Sequence, residues 1–435
     1  MILNMKLKTI SAAILAGLAL LPVQSIAQSA FTNVTILPMD GRGAIEGQTV
    51  VVDGDRIISV ASEIPNDLPE KTMVIDGTNK FLMPGLGEMH GHIPPISQGD
   101  QAVNDTLFLY LSNGVTTVRG MLGSDGQLAL RDDALSGERL SPTLYLAGPS
   151  FNGNSVSSPK QAVQKVDQQV DDGWDLLKVH PGLTKDEYLA MADQAIASNI
   201  DFAGHVPEAV GLLTALEKRQ RTLDHLDGYI SYLDGFDKEI SDEAMREIAR
   251  ATKQAGVGVV PTSALWATLI GATPLDHLTQ FDELKFIRKQ VVNQWKSRIG
   301  FLAQGNPEIH QQNRRRLLAI LQEEGVEILF GTDAPQLFSV PGFSIHHEIE
   351  EMMAAGMTED QILKSATFSI GKYFEDKDTF GTIAPGMRAD LILLDDNPLN
   401  DVNILKSPSG VMVRGQWISR KEIDRELAAI EARAK

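Results

Sequence analysis

Two histidines one residue apart, His90 and His92, close an apolar run that begins at Leu82. On a β-strand residues i and i+2 point the same way, so both imidazoles can reach one point in space, as metal ligation needs. Four more groups sit in or just after apolar, strand-like runs: Lys178 in Leu176–Val179, His205 after 200–204, His225 after 221–224 and Asp333 after 328–332. Each has an ordinary reading of its own. A strand-end histidine is often a hydrogen-bonded structural residue, an aspartate before Ala334-Pro335 a turn or helix cap, and a lysine in an apolar run a snorkelling side chain. All six together, at the ends of successive strands, fit a metal centre better.

Lys178 poses a chemical problem in such a centre. An ammonium has donors and no lone pair, so it cannot bind a cation. Carboxylation by CO2 would turn it into an anionic oxygen ligand able to bridge two ions. Weaker candidates for holding substrate are His180, two residues beyond Lys178 and on the same side of an extended chain, Tyr229, four residues past His225, and His346, in the segment after Asp333. His277 and His310 read as surface residues.

The elements that must position these groups alternate. After His92 the sequence runs strand, loop, helix, repeatedly, with strand-like runs at 115–118, 143–147, 176–179, 200–203, 221–223, 257–260 and 326–330. With the run before His90 there are eight, within a length that suits a (β/α)8 TIM barrel, an α/β fold whose catalytic groups lie at the C-terminal ends of the strands. Ser158-Pro159 and the Thr184 to Glu187 capping box open two of the helices. The stretch from about 275 to 324 is long and helical and reads as one elaborated helix. Residues 28–82 and 380–435 have a different texture, short strands and turns with a charged terminal helix. They are expected to pair into a small β-sandwich around a barrel spanning 83–379.

The chain has 435 residues, enough for a large barrel and a side domain. Residues 1–27 read as a signal peptide: Lys6 and Lys8 precede an apolar stretch at 10–21, and Ser25-Ile26-Ala27 is a small-x-small cleavage site. That stretch is too short to span about 30 Å of hydrocarbon as a helix, so an exported, periplasmic or secreted protein without a membrane anchor is expected. Thirty-nine basic side chains against 57 acidic ones give a net charge of −18, and losing the two lysines of the leader makes it more negative. Nucleic acid and anionic membranes are therefore excluded as partners, leaving a small-molecule substrate and, as an open question, a homo-oligomer. There is no cysteine, hence no disulfide framework.

Several segments resemble the amidohydrolase superfamily: Leu82-Met83-Pro84-Gly85-Leu86 with His90-Gly91-His92, Gly114-Val115-Thr116-Thr117-Val118-Arg119, Asp175-Leu176-Leu177-Lys178-Val179, Gly204-His205, Asp224-His225 and Gly331-Thr332-Asp333-Ala334-Pro335. The stretch 380–392 is similar to that superfamily's signature for the returning β-domain. Within it the chain looks most like the imidazolonepropionase-related and Xaa-Pro/Xaa-Arg dipeptidase branch, and Lys178 favours the binuclear, dipeptidase-like side. The resemblance implies two divalent ions, usually zinc. His90, His92 and Asp333 would hold one, His205 and His225 the other, with carboxylated Lys178 bridging. Asp333 would take a proton from the attacking water and deliver it to the leaving nitrogen, general acid–base work. The expected activity is hydrolysis of a C–N bond in a dipeptide or N-acyl amino acid. Cyclic-amide opening and lactone or ester cleavage stay open at the same site. A non-catalytic periplasmic binding protein would need a two-lobed fold, which the eight-strand count disfavours.

Overall fold

The computed structural model describes residues 28–66 and 68–435. The expected signal peptide, residues 1–27, lies outside the described residues. Among them no helix is long and apolar enough to cross a membrane.

Strand-forming sequence from both ends of the chain meets in one sheet. Its order is Gln416–Ser419, Gly410–Val413, Leu391–Leu394, Phe81–Pro84, Ser29–Ile36, Ile45–Asp53 and Arg56–Ala61, with Met73–Asp76 also paired to Ser29–Ile36. The seam between the two ends is antiparallel, Leu82 opposite Leu393. Phe31, Leu82, Leu391, Leu393 and Met412 bury one face of it together. The two terminal segments thus pair as expected, but as one continuous hydrogen-bonded sheet rather than the two sheets of a sandwich. The chain leaves this sheet at Gly85, slightly later than the boundary expected at 82/83. A Cβ there would stand 2.1 Å from the Thr116 hydroxyl.

The next strands are parallel, as alternation with helices requires. Leu86–Gly91, Val115–Gly120 and Thr143–Leu146 form one sheet; Leu176–Val179, Asp201–Gly204, Thr222–Asp224 and Gly258–Val260 form another. Bridges Ala147–Leu176 and Phe151–Val179 connect them. The eighth expected strand, 326–330, is not a regular one. It meets Gly258–Val260 through the single bridge Val259–Ile328, and its Phe330 carbonyl accepts from the Met89 N–H at 2.9 Å. The Phe330 N–H donates instead to the Ser365 carbonyl, which interrupts the ladder there. The α/β class stands, and the regular ladders stop at three and four strands. The helix starts foreseen at Ser158 and Thr184 are both present, the second with its full capping box. Leu177, Val179, Phe202, Leu223, Val259 and Leu329 lie in a single large core with the surrounding helices.

The stretch expected to be one elaborated helix is broken into Leu275–Leu278, a 3₁₀ turn Asp282–Phe286, Lys289–Lys296 and Pro307–Glu323. The positive-φ glycines Gly300 and Gly305 and Pro307 account for the break between the last two pieces. His277 is exposed, but His310 is only 2% exposed, its ring edge-on to Phe236, which corrects the surface reading of that residue. The insert is fastened to the helix Ser344–Ala354 through His347, whose Nε2 lies 2.6 Å from Glu283 and whose ring stacks on Phe281 at 3.9 Å. Burial alone would lower the His347 pKa; hydrogen bonds to Glu283 and Glu350 outweigh it and raise it to about 9. Because the folded value lies above the ordinary 6.5, this stabilisation is fully present below that pH and is lost as pH rises through 9. We expect His347→Gln to cost about 1–2 kcal/mol of unfolding free energy near pH 6 and far less near pH 10. Urea denaturation at both values checks this, and an equal loss at both would contradict it.

Candidate metal centre

The C-terminal ends of the parallel strands bring the six sequence-selected residues together. His90 comes from Leu86–Gly91, with His92 just beyond it, and Lys178 from Leu176–Val179. His205 and His225 directly follow Asp201–Gly204 and Thr222–Asp224. Ligand atoms of His90, His225 and Asp333 all lie within 4.8 Å of one another, and all three residues are buried. That trio cuts across the two ligand sets implied by the resemblance. His92 Nε2 is 2.6 Å from Asp333 Oδ1, and the ring centroids of His205 and His225 are 4.4 Å apart. Lys178, fully buried, points its Nζ at His90 Nε2, 3.0 Å away. Gly204 makes room for it: a Cβ there would meet the Val179 carbonyl at 2.4 Å and Lys178 Cδ at 3.0 Å. His225 and Asp333 both adopt positive φ, 77° and 63°. Non-glycine residues held in that region cluster at functional sites.

The donor set fits a divalent ion. His225 Nδ1 is hydrogen-bonded to Thr262 Oγ1 at 2.7 Å, while its Nε2 is buried without a partner. A neutral imidazole with one nitrogen occupied and the other free is the form that binds metal. Burial above all holds His90 and His225 well below the ordinary histidine pKa, hence neutral. Burial likewise lowers Lys178, to about 8.

Of the three substrate candidates, His180 alone faces the cavity of about 670 Å³ above this centre. Its ring lies 5.1 Å from that of His205, and burial drives its pKa to about 2, so it is neutral. Tyr229 and His346 are corrections. The Tyr229 hydroxyl is buried against Thr252 Oγ1 at 3.0 Å, and His346 Nε2 against Asn113 Oδ1 at 3.0 Å. Both polar ends are engaged in the core and neither residue lines the cavity.

A family model described as the amidohydrolase family matches residues 81–418. The chain belongs to the amidohydrolase family. It is therefore a hydrolase acting on carbon–nitrogen bonds. Among solved structures it is similar to a bottromycin amidohydrolase (23% identity over 94% of this chain and 90% of that one, TM-score 0.74). It is also similar to a candidate prolidase from Bifidobacterium longum (23%, 94% and 99%, TM-score 0.72) and to a Xaa-Pro dipeptidase with methionine in its active site (19%, 90% and 100%, TM-score 0.68). At these identities the likeness is one of fold.

In this amidohydrolase further residues orient these side chains, and reading the sequence missed them. His90 Nδ1 donates to Asp224 Oδ2 at 2.7 Å, which leaves Nε2 as the lone-pair atom. Asp224 is itself held by Thr222 Oγ1 at 2.6 Å and by Arg119 Nη2 at 3.2 Å. Arg119 also donates to the Met89 carbonyl at 2.6 Å and to the Tyr373 hydroxyl at 3.2 Å, all out of solvent. His205 Nδ1 meets Asp227 Oδ2 at 3.1 Å. Glu88 ties the His90 N–H to the Thr332 N–H and hydroxyl at 2.6–2.9 Å, fixing the two strand ends relative to each other. Burial pushes the Glu88 carboxyl up to about 7 despite those bonds. The available signal was local: Asp224 directly precedes His225, and Arg119 is a charge inside an apolar strand.

Proposed function

We propose that this protein is an exported, binuclear, metal-dependent hydrolase that cleaves an amide bond of a small substrate. The observation that carries the reading is the buried His90, His225 and Asp333 trio, together with the buried, unpartnered Nε2 of His225. His90, His92 and Asp333 would hold one zinc ion, His205 and His225 a second, with Lys178, carboxylated by CO2, between them. When bound, two such ions lower the pKa of water and polarise the scissile carbonyl. The protein groups do the rest. Asp333 Oδ1 and Oδ2 lie 2.6 Å from His92 Nε2 and 3.7 Å from His225 Nδ1, so the carboxylate is fixed where it can accept the proton of the attacking water. It then returns that proton to the leaving nitrogen. Asp224 and Asp227 keep the Nε2 atoms of His90 and His205 directed inwards. His180 stands at the cavity wall as a neutral donor to substrate oxygen.

The bridges and hydrogen bonds on both sides of 326–330 support reading the eight parallel segments as one barrel. The leader at 1–27 supports export to the periplasm or beyond. Zinc-loaded protein supplied with bicarbonate should release amine from members of a panel of small amides, whereas chelator-stripped protein should not. Loaded protein that hydrolyses no amide in a broad panel would overturn the reading.

A further inference from the structure

Resting on the amide-hydrolase reading, we infer that the substrate is a neutral amide with an apolar, aromatic-sized group, and that a free carboxylate on the substrate is selected against. The walls of the catalytic cavity carry this. Above the metal centre they are built by Ile93, Leu122, Trp266, Leu269, Phe301 and Leu302. The polar side chains lining it besides the histidines and Asp333 are uncharged: Gln98, Ser124 and Gln336. Among the described residues lining the cavity there is no lysine or arginine.

Away from the metal ions themselves, recognition of a substrate carboxylate relies on a cationic side chain or a set of converging donors. Two arginines packed against lining residues, Arg314 and Arg298, do not themselves line the cavity. Arg314 is buried with its guanidinium 4.7 Å from the Trp266 ring centroid, and it donates to the His225 carbonyl. Arg298 lies exposed, 4.9 Å from the Phe301 ring centroid.

Phe301 and Leu302 come from the insert between the seventh and eighth strand segments. Leu302 and Trp295 pack on the cluster of Leu265, Trp266, Leu269 and Leu337, which seats the insert on the helix Ser263–Leu269 that follows Gly258–Val260. Phe301 stays 50% exposed at the mouth even with the Arg298 guanidinium beside its ring. An aromatic or branched apolar group entering the cavity would cover it.

The test uses matched pairs that share the scissile bond and differ by one carboxylate: N-acetylphenylalanine against N-acetylphenethylamine, and alanylphenylalanine against alanine phenethylamide. Zinc-loaded protein should show kcat/KM about tenfold or more higher for the carboxylate-free member of each pair. Leu122→Arg, which puts a cation on a 44% exposed wall position, should narrow or invert that ratio. Phe301→Ala should raise KM for the phenethylamides by about tenfold. Equal or better use of the acids by the wild-type protein overturns this inference and leaves amide hydrolysis standing. Hydrolysis of no member of either pair, by protein that cleaves other amides of the broad panel, also overturns this inference alone.

Discussion

Replacing Asp333 with asparagine should lower kcat by about 10²–10⁴-fold while leaving most of the bound metal in place. Asparagine suits the position structurally. Asp333 holds φ 63°, a region that Asn and Asp tolerate better than other side-chain-bearing residues, so the backbone need not move. The amide can still present one oxygen towards His92, which the Asp333 carboxylate meets at 2.6 Å. What it cannot do is take up a proton. Amine release under saturating substrate, with elemental analysis of the same sample, separates the two effects. Wild-type turnover in a metal-loaded Asp333→Asn protein would remove Asp333 from proton transfer. Loss of metal in parallel with activity would assign it to ligation alone.

Lys178→Ala should lose metal and activity together, and small carboxylic acids should restore both in part. The side chain is completely buried, and its Nζ lies 3.0 Å from the lone-pair nitrogen of His90. A free ammonium in that position would sit among the cations it is meant to help bind, at a cost in both desolvation and repulsion. Carboxylation removes the positive charge and supplies a bridging anion. Alanine leaves a space next to Gly204 that acetate or propionate can enter. Lys178→Arg should not be rescued, because its larger cation fills that space and keeps its charge. Lys178→Ala protein that retains two ions and full activity without added acid would contradict this role. A lysine that only packs along its strand predicts a loss of folding with no rescue by acid, which circular dichroism on the same samples would reveal.

The six central residues were legible because each lies in or directly after a run of apolar residues, and strand ends in an alternating α/β sequence all face one way. Their supporting partners were not, because those contacts join distant strands: His90 and Asp224 are 134 positions apart. Nothing in either local sequence says that one imidazole and one carboxylate meet. Tyr229 and His346 failed for a related reason. Sequence offset places a residue near a strand end but does not say which way its helix is turned, and both side chains face the core. His310 looked exposed because the insert's pattern does not disclose that Phe236 packs over it. The terminal strands read correctly as strands, yet alternation alone could not distinguish one continuous sheet from two facing ones. That the eighth segment meets its neighbour through a single bridge, with the Phe330 N–H turned to Ser365, is a backbone detail that no residue pattern encodes.

The most direct measurement is a metal titration of chelator-stripped protein, in bicarbonate, against the rate of hydrolysis of a small neutral amide. The account predicts no turnover without metal, a rate that rises to its plateau at two zinc ions per chain, and a matching count by elemental analysis. Full activity in the stripped protein, or a plateau at one ion that added zinc and bicarbonate do not change, would contradict it.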